Sequence, residues 1–233
     1  SEHCAERVIS SKGFKVLHYH NITPHYFIEK KSFLYDLCKK GRDQLSSIID
    51  KFNFVTGDSL YNIQEIIKRG FPESRTLKLP IIIDERKLDQ LRKVDEVEKN
   101  ILFVGRICEN KCQHKLIDFF NQYRKKIAVN KLFLVGKSDT SSTYYKKVVQ
   151  LIDDLDLKNH VVLTGSVSEE ELDNYYKNSS CFISFSEHEG FGVPLLEASQ
   201  HQLPVLALNK AAVYETLSGS PGIFNDTNEL DEL

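Results

Sequence analysis

The chain has 233 residues with 31 basic and 33 acidic side chains, so its formal net charge is 31 − 33 = −2. That length suits one large or two modest domains and can bury roughly 70% of the surface exposed on unfolding, so neither disulfides nor metal are needed for a core. The balanced charge excludes a generic binder of nucleic acid or anionic lipid, and runs such as Ile81-Ile82-Ile83 are far below the roughly 20 apolar residues that span a bilayer.

No charged-then-apolar leader opens the chain at Ser1, which reads as a cytoplasmic protein, with peripheral membrane contact left open. The five cysteines, Cys4, Cys38, Cys108, Cys112 and Cys181, are odd in number and scattered, and read as free thiols. The absence of methionine suggests a piece of a longer chain.

Short β-rich runs alternate with helical stretches. Lys15–His20 reads as a strand, Leu34–Ile49 as a helix, Phe52–Thr56 as a strand, and a helix follows from about Ser59. The run Leu77–Asp84 then gives way to a charge-dense stretch, which sets a boundary: a first domain over 1–85, a linker over 86–99 and a second domain over 100–233. Three strands of one kind follow, Ile101–Gly105, Leu132–Gly136 and Val161–Gly165, each closing on glycine, and then Cys181–Phe185 and Pro204–Leu208. Near-continuous apolar strands imply an α/β fold with a parallel sheet, whose ligands bind at the carboxyl ends of the strands. The three glycines mark that edge, as tight turns or as places where a ligand approaches the backbone.

Ser186-Glu187-His188-Glu189-Gly190-Phe191-Gly192-Val193-Pro194-Leu195-Leu196-Glu197-Ala198 is the most informative segment. It leaves an apolar strand, passes a glycine loop and enters a helix with Pro194 expected at the first helical position, which makes an anion site of the free amides there. Glu197, one turn inside, suits ribose hydroxyls better than phosphate, and Glu189, before the loop, could accept hydrogen bonds from a second polyol. The other candidate is Gly105-Arg106-Ile107-Cys108-Glu109-Asn110-Lys111, whose two cations could converge on a diphosphate and neutralise a departing leaving group.

These segments resemble the glycosyl transferases group 1 family of retaining, GT-B-fold glycosyltransferases. The likeness rests on the Glu-x7-Glu spacing of Glu189 and Glu197 around Gly-Phe-Gly-Val-Pro, and on Gly105-Arg106 with Lys111. It continues in Val135-Gly136, Leu163–Val167 and Leu203-Pro204-Val205. It implies a Rossmann-like donor-binding domain plus part of a second Rossmann-like domain, lacking the start of the amino-terminal domain and the final helices. It also implies transfer of a hexose, with mannose one option, from a nucleotide-diphosphate sugar to a sugar or lipid-linked sugar acceptor in polysaccharide or glycoconjugate synthesis, without metal or cofactor. By the same resemblance Arg106 and Lys111 hold the diphosphate, Glu197 the ribose and Glu189 the sugar. Phe191, Gly192 and Val193 offer amides, Gly105 closes the strand beside them, and Gly165 to Val167 lie against the base. His20 in Tyr19-His20-Asn21-Ile22-Thr23-Pro24 matches the family's active-site histidine, and Tyr61 with Thr56-Gly57-Asp58-Ser59 matches its interdomain cleft.

Departures are the Ala198–Gln202 stretch, which lacks the family's usual glycine, and the missing glycine-rich opening. Two rivals remain at this point: a glycosidase using Glu189 and Glu197 as its carboxylates, and a nucleotide-binding module without catalysis. Cys108-x3-Cys112-x-His114 has zinc-ligand types but no second pair, and Asp154-Leu155-Asp156 sits at a helix end as a solvated face. The sequons at Asn21, Asn178 and Asn225 carry no weight without secretion.

Overall fold

A computed structural model describes residues 7–30, 32–83, 99–226 and 229–230. They group into two compact units, 1–82 and 83–233. Most of the stretch read as a linker (86–98), Cys4 and Thr227 of the last sequon lie outside the described residues.

The first unit is a parallel sheet in the order β1 (Val16–Tyr19), β2 (Phe54–Gly57), β3 (Thr76–Lys78), crossed by helices α1 (Phe33–Ile48) and α2 (Leu60–Lys68). Both helices start where a serine can take up an orphan amide: Ser32 Oγ accepts from the Tyr35 N–H at 3.1 Å and Ser59 Oγ from the Asn62 N–H at 3.1 Å. Leu45 of α1, Ile49 in the turn that follows it and Ile66 of α2 close on the sheet with Tyr19, Val55 and Phe71. The ladder begins later than the apolar pattern suggests, because the Asn53 side chain accepts from the Lys15 N–H at 2.8 Å ahead of β2. The register pairs His18 with Thr56 and Tyr19 with Gly57, so His20 and Asp58 leave neighbouring strands at the same edge. The Ile81–Ile83 run forms no strand: Ile82 is 91% exposed, and Pro80 before it has no amide to donate.

The second unit is a six-stranded parallel sheet in the order β6-β5-β4-β7-β8-β9. Its elements run β4 (Asn100–Val104), α3 (Gln113–Tyr123), β5 (Lys131–Val135), α4 (Thr143–Asp154), β6 (Val161–Gly165), α5 (Glu169–Lys177), β7 (Cys181–Ser184), α6 (Val193–Gln200), β8 (Val205–Leu208), α7 (Val213–Thr216) and β9 (Ile223–Phe224). Side chains alternate across β4: Ile101 and Phe103 join the core with Leu116, Phe120, Leu134 and Val148, while Leu102 joins the opposite core with Tyr176, Phe182, Leu195 and Leu203. Both faces are therefore covered, which is what continuous apolar strands require. Strand order reverses between β4 and β7, the position where open parallel sheets bind ligands beyond their carboxyl ends.

Pro194 is the second residue of α6, not the first; Val193 is first and Gly192 is the cap, in the left-handed region at φ 92°. The proline is still accommodated, because an amide at the second helical position would have no i−4 partner; the next one, Leu195 N–H, donates to Gly192 O at 2.9 Å. The expected Rossmann-like α/β architecture is present in both units, and none of the described helices is long and apolar enough to cross a membrane.

Candidate active site

The strand-order reversal brings two loops together, 105–112 after β4 and 185–192 after β7. The first is shaped by a backbone close approach. Gly136, at φ 144°, lies so near the neighbouring peptide that a Cβ there would sit 2.2 Å from the Gly105 carbonyl oxygen. The Gly105 N–H donates to Val135 O at 2.8 Å and the Ile107 N–H to Lys137 O at 3.0 Å, so β5 guides the chain past its own end. Glu109–Lys111 then make one tight turn, and the Gln113 side chain donates to Arg106 O at 2.8 Å from a position 1% exposed. The Arg106 side chain points to solvent.

The second loop is tied to the first through Asn110 and Lys111. The Glu187 N–H donates to Asn110 O at 2.8 Å, and Asn110 Nδ2 donates to His188 O at 3.3 Å. Lys111 Nζ donates to Glu189 Oε1 at 2.5 Å, with these side chains only 15% and 13% exposed. The loop's far side is held by the Ala212 N–H donating to Glu189 O at 3.2 Å and by the Thr216 hydroxyl donating to Phe191 O. Two residues further out, Lys115 Nζ and Glu187 Oε1 meet at 2.6 Å, a bond that raises the lysine's pKa.

Arg106, Lys111, Glu189, Phe191, Gly192 and Val193 thus gather around one strand-order reversal, at the amino end of a helix with no acid in its first turn. The amino end of a helix is a place where an anion is favoured, and here Lys111 is already engaged with Glu189. Glu197 follows one turn on, where Tyr176 Oη donates to its Oε2 at 2.8 Å and the tyrosine ring stacks on His201 at 5.0 Å. Burial and then the Glu197 charge push the Tyr176 phenol pKa far up, so it remains a neutral donor. Gly165 and Val167 stand two strands away at the end of β6, and a Cβ on Gly165 would meet nothing within 4 Å.

Two recesses flank these loops. One of about 610 Å³ is lined by Lys115, Phe119, Tyr123, Glu187 and Lys210, and one of about 200 Å³ by Asp173, Tyr176, Glu197 and His201. The larger includes neither Glu189 nor Arg106, so volume and chemistry do not coincide here.

In the first unit His20 Nδ1 lies 3.0 Å from Asp58 Oδ2, and His18 Nε2 lies 2.8 Å from Asp58 Oδ1, with Asp58 only 2% exposed. His18 Nδ1 is 2.6 Å from Thr56 Oγ1. Among the described residues these three side chains offer two nitrogens and an oxygen within 4.8 Å of one another, donors of the kind a divalent cation takes. Tyr61, also expected here, is half-buried and its phenol pKa is raised by that burial.

The side chains of the Cys108-x3-Cys112-x-His114 pattern meet other partners. Cys108 Sγ contacts Asn110 Oδ1 at 3.2 Å, Cys112 Sγ contacts Glu109 O at 3.3 Å, and His114 Nδ1 lies 3.0 Å from Tyr144 Oη. Burial pushes the Cys112 thiol up to about 11 and raises Cys108 as well, against the pull of Arg106 and Lys111. Asp154 ends α4 and accepts from the Gln150 side chain at 2.8 Å, in line with a solvated face.

Asn110, Gln113, Tyr176 and Thr216 were not singled out from sequence. Each is polar and buried, at 4%, 1%, 2% and 9% exposure, and burial is the signal that reveals them once the fold is known.

The glycosyl transferases group 1 profile matches residues 84–229, more than half of the chain, and the chain belongs to that family. An uncharacterised 41.2 kDa protein in the cps region of Klebsiella pneumoniae is 26% identical over 98% of this chain and 63% of its own length. The O-antigen chain mannosyltransferase RfbU of Salmonella typhimurium is 25% identical over 90% of the chain and 56% of its own. Among solved structures, TarM superposes with a TM-score of 0.73 at 17% identity, over 96% of this chain and 43% of that one. Anabaena Alr3699/HepE, solved with UDP and glucose, gives 0.70 at 20% identity, over 86% and 54%. These structural likenesses concern the fold, and the chain spans between about a third and two thirds of the relatives it matches first.

Proposed function

We propose that the protein transfers a hexose from a nucleotide-diphosphate sugar to a hydroxyl of a sugar or lipid-linked sugar acceptor, with retention of anomeric configuration, in polysaccharide or glycoconjugate synthesis. The observation that carries this reading is the Lys111–Glu189 pair at 2.5 Å, which sets a cation and a polyol acceptor side by side at the amino end of α6. The family membership supports the reaction class. RfbU, an O-antigen chain mannosyltransferase, supports a polysaccharide product and a mannose-type donor.

The chemistry follows from charge. As the anomeric C–O bond breaks, its electron pair goes to the diphosphate, so negative charge grows where Arg106, Lys111 and the amides of Gly192 and Val193 converge. Lys111 exchanges Glu189 for the diphosphate as the donor enters, and Glu189 turns to the sugar hydroxyls. The acceptor oxygen bonds to the same face of the anomeric carbon, and its proton passes to the departing diphosphate oxygen. Arg106 and Lys111 neutralise the charge that a divalent ion would otherwise meet, and no cofactor enters. Glu197, with one oxygen held by Tyr176, keeps the other for the ribose; Gly165 leaves open space for the base.

The test is the melting temperature with UDP, GDP, ADP and dTDP, without metal. A ligand at about 100 times its Kd adds roughly 2.7 kcal/mol, a shift of a few degrees. One nucleotide should win, and its effect should vanish in Arg106→Ala and Glu197→Ala. No shift with any nucleotide retires the donor site, and binding without sugar turnover by the full-length protein leaves a nucleotide-binding module.

A further inference from the structure

The histidine and aspartate groups after β1 and β2 form an ordered hydrogen-bonding relay whose proton positions can be deduced. A buried ionised carboxylate only accepts hydrogen bonds, so any imidazole nitrogen facing it carries the proton. His20 Nδ1 faces Asp58 Oδ2 at 3.0 Å, and His18 Nε2 faces Asp58 Oδ1 at 2.8 Å. The second contact is short but out of line, so it acts chiefly as charge against dipole. His18 Nδ1 is then an acceptor, and the Thr56 hydroxyl, 2.6 Å away, must donate to it. The two rings meet edge to face with centroids 4.4 Å apart, which packs them against each other. Asp58 is 2% exposed, whereas the His20 side chain is 67% exposed, so the relay has one fixed end and one solvent-facing end.

We propose that Asp58 is a positioning residue: it fixes His20 in the Nδ1–H tautomer, so that the bare Nε2 is presented outward as a hydrogen-bond acceptor for a substrate hydroxyl. His18, oriented by Thr56, braces the carboxylate from its other side. The geometry stands by itself, and only the consequence for turnover rests on the transferase reading above. A divalent cation is the competing occupant, because the same three side chains have suitable ligand atoms.

The test is long-range ¹H–¹⁵N spectroscopy of the histidine-labelled 233-residue chain at pH 8, with His18→Gln and His20→Gln for assignment. Wild type should show His20 as the Nδ1–H tautomer and His18 as the Nε2–H tautomer. The reverse tautomer at His20 overturns the proposal without any variant of Asp58 having to fold. In Asp58→Ala the acceptor facing His20 Nδ1 is gone, so His20 should no longer be held in the Nδ1–H form; an unchanged His20 tautomer overturns the proposal as well. Adding one equivalent of Zn²⁺ should leave both rings as they were, and tight binding that shifts both would assign the cluster to metal instead.

In the full-length protein, Asp58→Ala should lower kcat for sugar transfer by about 100-fold with donor KM unchanged, since a general acid–base group contributes about 10²–10⁴. An unaltered kcat overturns the proposal. The nucleotide-dependent melting shift should persist in Asp58→Ala. If wild type itself shows neither that shift nor turnover, it is the transferase reading that has failed, and the tautomers still decide the relay.

Discussion

Lys111 and Glu189 are held almost wholly out of water, and a pair in that position is stable only while both partners remain. Desolvation of each charge is offset by the other at 2.5 Å, so removing one leaves an uncompensated buried ion. Lys111→Ala should destabilise the chain by about 3 kcal/mol, at the lower end of the usual 3–5 because some exposure persists. Combining Lys111→Met with Glu189→Leu should recover most of that loss, as a double-mutant cycle in urea would read. Lys115→Ala is the control: its pair with Glu187 is 42% and 34% exposed, and it should cost less than about 1 kcal/mol. The Glu189–Glu197 spacing and the Arg106 and Lys111 cations were legible in the sequence because each lies within one short segment. Asn110 was not, because it works on His188, 78 residues away, and nothing local marks it. Asp58 lay in a segment read as cleft-forming, but its role needs the parallel register that sets Thr56 against His18.

The strand-closing glycines, alike in sequence, do different work. Gly136 is fixed by the Gly105 carbonyl, where an added Cβ would stand at 2.2 Å, whereas Gly165 faces open space and is constrained only by its φ of 71°. Gly136→Ala must push β4 from β5 and should cost about 3 kcal/mol or more. Gly165→Ala should cost about 1–2, the penalty of a left-handed alanine. Denaturant midpoints decide it: equal losses would mean that the close approach does not constrain Gly136. The apolar strands with their glycines were readable because they run four or five residues with a continuous pattern. The two-residue β9 was not, since Ile223 and Phe224 are too few to show a period and are recruited by β8 alone. Ile81–Ile83 shows the converse: three apolar residues in a row, with no strand paired to them among the described residues, stay outside the sheet.

At the scale of the whole molecule, pH acts through groups that folding has desolvated. Burial depresses the His114 imidazole pKa, with Lys147 and Lys115 adding to the effect. A histidine whose folded pKa lies below its unfolded value of about 6.5 contributes stability present above that value and lost as pH falls through the folded pKa. Melting should therefore fall between pH 7.5 and 5.5, and His114→Gln should flatten that part of the curve; an unchanged slope would place the acid sensitivity elsewhere. Nucleotide binding tests the molecule in a different way, because the two units carry different halves of the proposed chemistry. The second unit holds the strand-order reversal, the two cations and the amino end of α6, so hydrogen exchange with the winning nucleotide should slow at 105–112, 165–167 and 186–197. The β2–α2 core around Val55 and Ile66, both at 0% exposure, should exchange as before. Protection confined to the first unit would move the anion site to the His18–His20–Asp58 edge, and the roles given to Arg106, Lys111 and Glu197 would go with it.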